Sequence, residues 1–227
     1  VVESDFRISV GLPKTHDVVI VTLSLKNMIM GSLISRFTHQ QTSENGSGSS
    51  FGRISKVLWP VVPKWVRHSS LLEWLQFRAM RTLQPSDKMK MHQSHPVINL
   101  NLACLAPVVW PHLAVLDGCE AMEGNGPTDG EVVPLHIALA STDALAADVV
   151  AASLMGFDAN EVGYLNYCNQ MNLGVGDLAE IRIVGNVPLA DCARPFRPHD
   201  TYRRQRRWSL AQTGSHLRPA PLLDADP

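Results

Sequence analysis

The sequence predicts an α/β fold: a mixed or mostly parallel sheet with helices on its faces, plus an aromatic helical insertion. Short β-branched, apolar runs end in polar or glycine-rich turns, as buried strands do. Apolar stretches of helical length and periodicity accompany them. In the second half of the chain the order is strand, loop, strand, helix, helix, strand, which is the order of layered α/β proteins.

Phe6–Leu12 alternates and is rich in strand formers. Pro13-Lys14-Thr15-His16 follows as a polar turn at the strand end. Val18–Leu25 is apolar and β-branched, and eight residues do not decide between a second strand and the start of a buried helix. Gln40–Phe51 is a polar, flexible loop, and Trp59-Pro-Val-Val-Pro63 is stiff and extended. Ser69 or Ser70 caps a helix over Leu71–Leu83. Residues 36–92 thus form an insertion marked by Trp59, Trp65, Trp74 and Phe77.

Pro96–Pro107 reads as a helix with Ile98, Leu102 and Leu105 on one face. The run His112–Leu116 ends as a strand at Asp117 and opens a loop with Gly118, Gly124, Gly126 and Gly130. Val132–Ala140 reads as one strand containing a core His136. Ser141 or Thr142 caps a helix over Asp143–Met155, which Gly156 stops. Asp158 and Glu161 resemble a capping box for a helix over Val162–Met171. Glu180–Val184 is a last strand. Residues 1–190 make one α/β domain, and 191–227 a basic, proline-rich tail that docks loosely.

The 20 basic and 21 acidic residues nearly cancel, which gives no charge argument for a polyanionic partner. The arginine run Arg203-Arg-Gln-Arg-Arg207 belongs to no nucleic-acid-binding motif and reads as a solvated terminus. No apolar run reaches the ~18 residues of a membrane span. The four cysteines, Cys104, Cys119, Cys168 and Cys192, form no CxxC pair. They read as free thiols of a reducing compartment, hence a cytoplasmic protein.

Chemistry concentrates in two places. The glycine-rich loop after a strand end is where α/β proteins build sites, and here it carries Asp117, Glu123 and Asp129. Converging, these three would suit a hard divalent cation through oxygen ligands. The second place is the Lys14–His16 turn together with Lys26 and Asn27, which offers two cations and a general base. Lys14, His16, Lys26 and Asp117 are the candidate catalytic residues. Asn27, Gly118, Glu123, Gly124, Gly126 and Asp148 are candidate ligand contacts. Asp148 lies inside a helix among Ala and Val; a carboxylate there needs a partner, and Lys14 or Lys26 would serve.

Several segments together are similar to one family. They are Pro13-Lys-Thr-His16, Leu23-Ser-Leu-Lys-Asn27, His92-Gln93, Asn99-Leu-Asn-Leu102, Asp117-Gly118, Met122-Glu-Gly-Asn-Gly-Pro127, Asp143, Ala147-Asp148, Met155-Gly156 and Gly163-Tyr-Leu-Asn166. The chain resembles the bacterial and archaeal domain of unknown function 362 family from about Phe6 to Gly185. The resemblance implies an α/β domain, often accompanied by a ferredoxin-type iron–sulfur module. Without clustered cysteines, a cluster bound by this chain itself is not expected. The family domain normally has a segment before the KTH turn, so the resemblance also implies a shortened domain.

The leading functional expectation is an enzyme domain binding a small molecule or a divalent metal at an acidic, glycine-rich site, with a redox link through the family. Two alternatives stand beside it. One is a non-enzymatic accessory that docks a ferredoxin-like protein through the aromatic insertion and arginine tail. The other is a truncated, inactive relative.

Overall fold

The computed structural model describes residues 1–33 and 91–209 of the 227. The chain divides into two compact units, Val1–Ser32 with Ser94–Pro227, and Leu33–Gln93. Every element described belongs to the first unit. The loop at Gln40–Phe51, the extended Trp59–Pro63 and the helix over Leu71–Leu83 lie outside the described residues.

Two small mixed sheets organise the first unit, as an α/β fold requires. The first has β1 (Ile8–Gly11), β4 (Leu113–Gly118) and β7 (Ile137–Ser141) in the order β1-β4-β7. β1 runs parallel to β4, and β7 antiparallel to it. The second has β2 (Lys14–His16), β3 (Ile20–Thr22), β5 (Ala121–Glu123) and β6 (Glu131–Val133) in the order β3-β2-β5-β6. Only its β2–β5 pair is parallel.

Side-chain alternation divides the first sheet. Ser9, Gly11, Ala114, Leu116 and Gly118 are buried on one face, whereas Ile8, Val10 and Asp117 are exposed on the other. Helices α1 (Ser24–Ser32) and α3 (Ala144–Leu154) pack against this sheet and against each other. Ten of the eleven residues of α3 are buried, which explains its Ala and Val composition: small side chains let helix and strands approach closely. Helix α2 (His95–Leu105) packs on α4 (Gly163–Gln170). Ile98 and Leu102 of α2 join Tyr164 and Leu165 of α4 among the buried side chains.

The structure corrects several local expectations. Lys14–His16 is a strand, not a turn, because it pairs with β3 and β5 on both sides. Val18–Leu25 splits: β3 ends at Thr22 and α1 begins at Ser24. The stretch 132–140 is two strands in different sheets, separated by an exposed His136 at φ 54°. The cap of α3 is Asp143, whose Oδ1 accepts from Ala146 N at 2.9 Å. Asp158 caps a 3-10 turn at Ala159–Glu161, not α4. An N–H in the first turn of α4 instead finds Asn99, whose Oδ1 accepts from Tyr164 N at 2.8 Å. Glu180–Val184 forms no strand: Leu178–Glu180 is a 3-10 turn, and Ile183 and Val184 are exposed. Its alternating pattern pairs with no strand among the described residues.

The segment after Pro195 is the largest correction. Phe196, Gln205 and Trp208 are buried. Trp208 stacks edge-on against Tyr167, and its Nε1 donates to Glu161 O at 2.6 Å. Gln205 is a bridge: its Nε2 donates to His16 O at 2.8 Å, and its Oε1 accepts from Ile20 N. Ile20 sits at φ 68°, in the left-handed region that a β-branched residue rarely adopts. Gln205 thus satisfies the backbone at the strained corner between β2 and β3. Replacing Gln205 by Ala leaves one buried donor and one buried acceptor without partners, so Gln205→Ala should lower the urea-unfolding free energy by about 2 kcal/mol or more. An unchanged midpoint would show that this bridge contributes nothing.

Candidate functional site

The parallel pair β1–β4 ends in a crevice, the usual position of a site in an open α/β sheet. Val10, Gly11 and Leu12 come from the end of β1, and Asp117 from the end of β4. With Lys14, Thr22 and Asn27 they line a cleft of about 300 Å³. Lys14 and Thr22 are register partners across β2 and β3, so both side chains leave the second sheet on the same side. Asn27 reaches in from the first turn of α1, with its Nδ2 donating to Val10 O at 2.9 Å. Asp117 makes an Asx turn, its Oδ1 accepting from Cys119 N at 3.0 Å. Its other carboxylate oxygen makes no hydrogen bond among the described residues.

Thr22 is the residue that the sequence does not single out. It is 8% exposed, and its hydroxyl has no hydrogen-bond partner. Buried hydroxyls nearly always find one. A lone Thr in an apolar run looks like a β-branched packing residue, so the only possible signal was its strand pairing with Lys14.

Lys26 is 7% exposed and makes no hydrogen bond or ion pair among the described residues. It does not line the cleft, but it directly precedes Asn27, which does. Burial holds its ammonium down at about 8; Lys14 adds to this, and Asp17 opposes it. A first-turn position on α1 is also the wrong end of a helix for a cation.

His16 faces elsewhere. Its Nδ1 lies 3.0 Å from both Val18 N and Asp17 Oδ1. Burial pushes the Asp17 carboxyl up, but the hydrogen bond and charge of His16, with the charge of His199, bring it down to about 2. His16 is therefore tied into the β2–β3 corner and is not among the residues that line the cleft.

The glycine-rich loop does meet the Lys14–His16 strand. Met122 N donates to Pro13 O at 3.1 Å, and Thr15 Oγ1 donates to Gly124 O at 2.9 Å. Gly126 lies so close to Thr15 that a Cβ would overlap its carbonyl, and Gly124 takes φ 74°. These glycines are needed for the backbone approach, and Gly118 for room beside Ile137.

The three carboxylates expected to share a metal do not converge. Asp117 lines the cleft described above. Glu123 Oε2 accepts from Arg197 N at 3.0 Å, and Asp129 lines a separate cleft of about 140 Å³ with Glu131, Arg197 and Asp200. Among the described residues no group of three or more His, Cys, Asp or Glu could hold a metal ion. The cysteines are not disulfide-bonded, and they provide no cluster-binding set either. Arg197 and Arg206 are engaged within the chain, by Glu131 and Glu161. No helix among the described residues is long and apolar enough to cross a membrane.

Asp148 departs furthest from expectation. Neither lysine is its partner. Its Oδ1 accepts from Ser24 N at 2.8 Å and Ser24 Oγ at 2.6 Å, and its Oδ2 accepts from Leu25 N at 3.0 Å. The carboxylate is fully buried and caps the start of α1 from another helix. Lysines look like partners on paper because charge seeks charge, but helix N–H groups satisfy a carboxylate as well.

The fold is an α/β domain with a cleft at the carboxyl ends of a parallel strand pair. A sequence profile described as a domain of unknown function (DUF362) matches residues 1–153, about two thirds of the chain. The chain belongs to this family. The match runs from before β1 into α3 and contains every candidate residue from Lys14 to Asp148. No curated protein and no solved structure matches the chain.

Burial raises the Asp148 carboxyl from 3.8 to about 7, against the downward pull of Ser24 and Leu25. Across that window the folded chain keeps a proton that the unfolded chain has released. The associated stability is complete below pH 3.8 and is lost as pH rises to about 7. The urea stability of wild type relative to Asp148→Asn should therefore be greatest near pH 4 and decline toward neutrality, by at most about 1.4 kcal/mol per pH unit. A difference constant with pH would show that Asp148 stays ionised throughout.

Proposed function

We propose that this domain binds a small oxygenated anion in the cleft at the ends of β1 and β4, and that it is an enzyme domain acting there by proton transfer. The observation that carries this reading is the partnerless, buried hydroxyl of Thr22, a residue that lines the same cleft as Lys14. An unsatisfied buried hydroxyl costs about 1–3 kcal/mol, and a ligand oxygen would recover that cost. Lys14 supplies the countercharge. Asn27 fixes the mouth of the cleft through Val10, and the second oxygen of Asp117 can accept a proton from a ligand hydroxyl or carbon acid. The cleft volume of about 300 Å³ suits a small ligand.

Among this chain's described carboxylates, Asp117 alone faces the cleft, so a divalent ion there would need donors from the ligand itself. A ligand carboxylate flanked by hydroxyl or oxo groups could supply them. The reading does not depend on such an ion.

Thr22→Val separates stability from binding. The substitution removes an unsatisfied hydroxyl at constant shape, so the ligand-free protein should gain about 1 kcal/mol. Thermal melts with millimolar oxalate, malonate, pyruvate or phosphate should raise the wild-type Tm for at least one carboxylate. That rise should shrink in Thr22→Val and disappear in Lys14→Ala. Equal shifts in all three proteins would place the ligand elsewhere.

A further inference from the structure

We propose that the ligand of the cleft is a linear, medium-chain hydroxy acid: Lys14 and Thr22 take its carboxylate, Asp117 takes its hydroxyl, and the apolar outer face of β1 and β4 takes its alkyl chain. The inference deepens the anion-binding reading of the cleft and rests on it. Val10 and Leu12 line the cleft, yet they are 60% and 43% exposed. Both belong to a larger apolar surface. Burial alternates along β1, so Ile8 and Val10 share its outer face, about 6.6 Å apart. Ile8 is 52% exposed. Register sets Leu113 beside Ile8 and Val115 beside Val10, both half-buried on the same face of β4. Across β4, the exposed Ala140 of β7 is the partner of Val115. At the far end an exposed Phe6 stacks on His112, with ring centroids 5.0 Å apart. Single exposed apolar side chains are ordinary on a protein surface. A continuous apolar face that runs into a cleft lined by a lysine is a binding surface for something with one charged end.

The two parts of the surface select the ligand together. A small, fully charged ligand leaves Val10 and Ile8 in water, and a plain hydrocarbon leaves Lys14 and the Thr22 hydroxyl unmet. Lys14 and Asp117 line one cleft with opposite charges. The ligand head therefore carries both an acceptor and a donor: a carboxylate for Lys14 and Thr22, and a hydroxyl on a nearby carbon for Asp117. A cleft of about 300 Å³ holds such a head and its first carbons. The rest of the chain lies outward over Val10 and Ile8.

Isothermal titration of the full-length protein with 3-hydroxybutyrate, 3-hydroxyhexanoate and 3-hydroxyoctanoate tests this. Affinity should rise about fourfold at each two-carbon step, because a fully buried methylene is worth about fourfold and an open face covers roughly half of it. Ile8→Thr keeps a β-branched residue at an exposed strand position and should fold as the wild type does. It should lower the ratio of octanoate to butyrate affinities by about threefold. Lys14→Ala should weaken every member of the series by about the same factor. Affinity that does not rise with chain length overturns the proposal; if malonate then still raises the Tm through Lys14, the anion site stands without a chain site. A rise with length that is the same in Ile8→Thr places the chain elsewhere and also overturns it. So does binding to anionic phospholipid vesicles with no response to the soluble acids. If neither malonate nor any hydroxy acid binds, both readings fail.

Discussion

The arrangement around the cleft depends on one buried carboxylate. Asp148, near the middle of α3, accepts the backbone N–H groups of Ser24 and Leu25 and the hydroxyl of Ser24. It therefore fixes where α1 begins, in a place where the chain has just left β3 and must turn at once. Ser9 Oγ donates to Ser24 O at 2.7 Å, so the same residue is tied to β1. Strand, helix start and second helix are joined at a single point. Helix α1 has no acidic residue in its own first turn; the capping anion comes from a helix more than a hundred residues later. Lys26 and Asn27 inherit their positions from this junction, because they are the next residues in that turn.

A second constraint works from the other side of the site. The C-terminal segment threads back to the β2–β3 corner, where Thr201 Oγ1 donates to Asp17 O at 2.8 Å and Gln205 spans His16 and Ile20. It also reaches the glycine-rich loop: Gly124 N donates to Arg197 O at 2.7 Å. The loop is thus held between Thr15 on one side and Arg197 on the other. This explains why Glu123 serves as an acceptor for the backbone of residue 197.

The sequence is legible where a signal is local. β1, β4, α2 and the stop of α3 at Gly156 follow from alternation, helical spacing and glycine. The nearness of the glycine-rich loop to the Lys14–His16 segment also follows, because strand ends gather on one edge of a layered sheet. Partner choice is what short-range patterns do not encode. Glu180–Val184 alternates like a strand but pairs with none among the described residues, and 132–140 reads as one strand because nothing local marks the left-handed turn at His136. Asp148 shows the same limit in the site: its burial could be read from its neighbours, but its donors lie 123 and 124 residues away. Asp117, Glu123 and Asp129 share a loop only in sequence. Once β5 forms inside that loop, pairing with β2 and β6 fixes where Glu123 can point.

Burial is the common cause behind the two unusual groups near the start of α1. It disfavours the charged form of any group, whichever sign the charge has. For an acid this means an upward shift, for an amine a downward one, so Asp148 rises from 3.8 to about 7 and Lys26 falls from 10.5 to about 8. The two converge on neutral pH from opposite directions. Their hydrogen bonding then separates their roles. Asp148 is saturated by three donors, and its charge state acts on the stability of the junction. Lys26 makes no hydrogen bond or ion pair among the described residues, so the desolvation of its ammonium is opposed only by the charge of Asp17. Thr22, a few residues earlier, likewise has a hydroxyl that the protein leaves unpaired. A fold that satisfies Asp148 so completely leaves the hydroxyl of Thr22 without a partner, in a residue that lines the cleft with Lys14. On the proposed reading, that unmet hydrogen bond is what a ligand oxygen would complete.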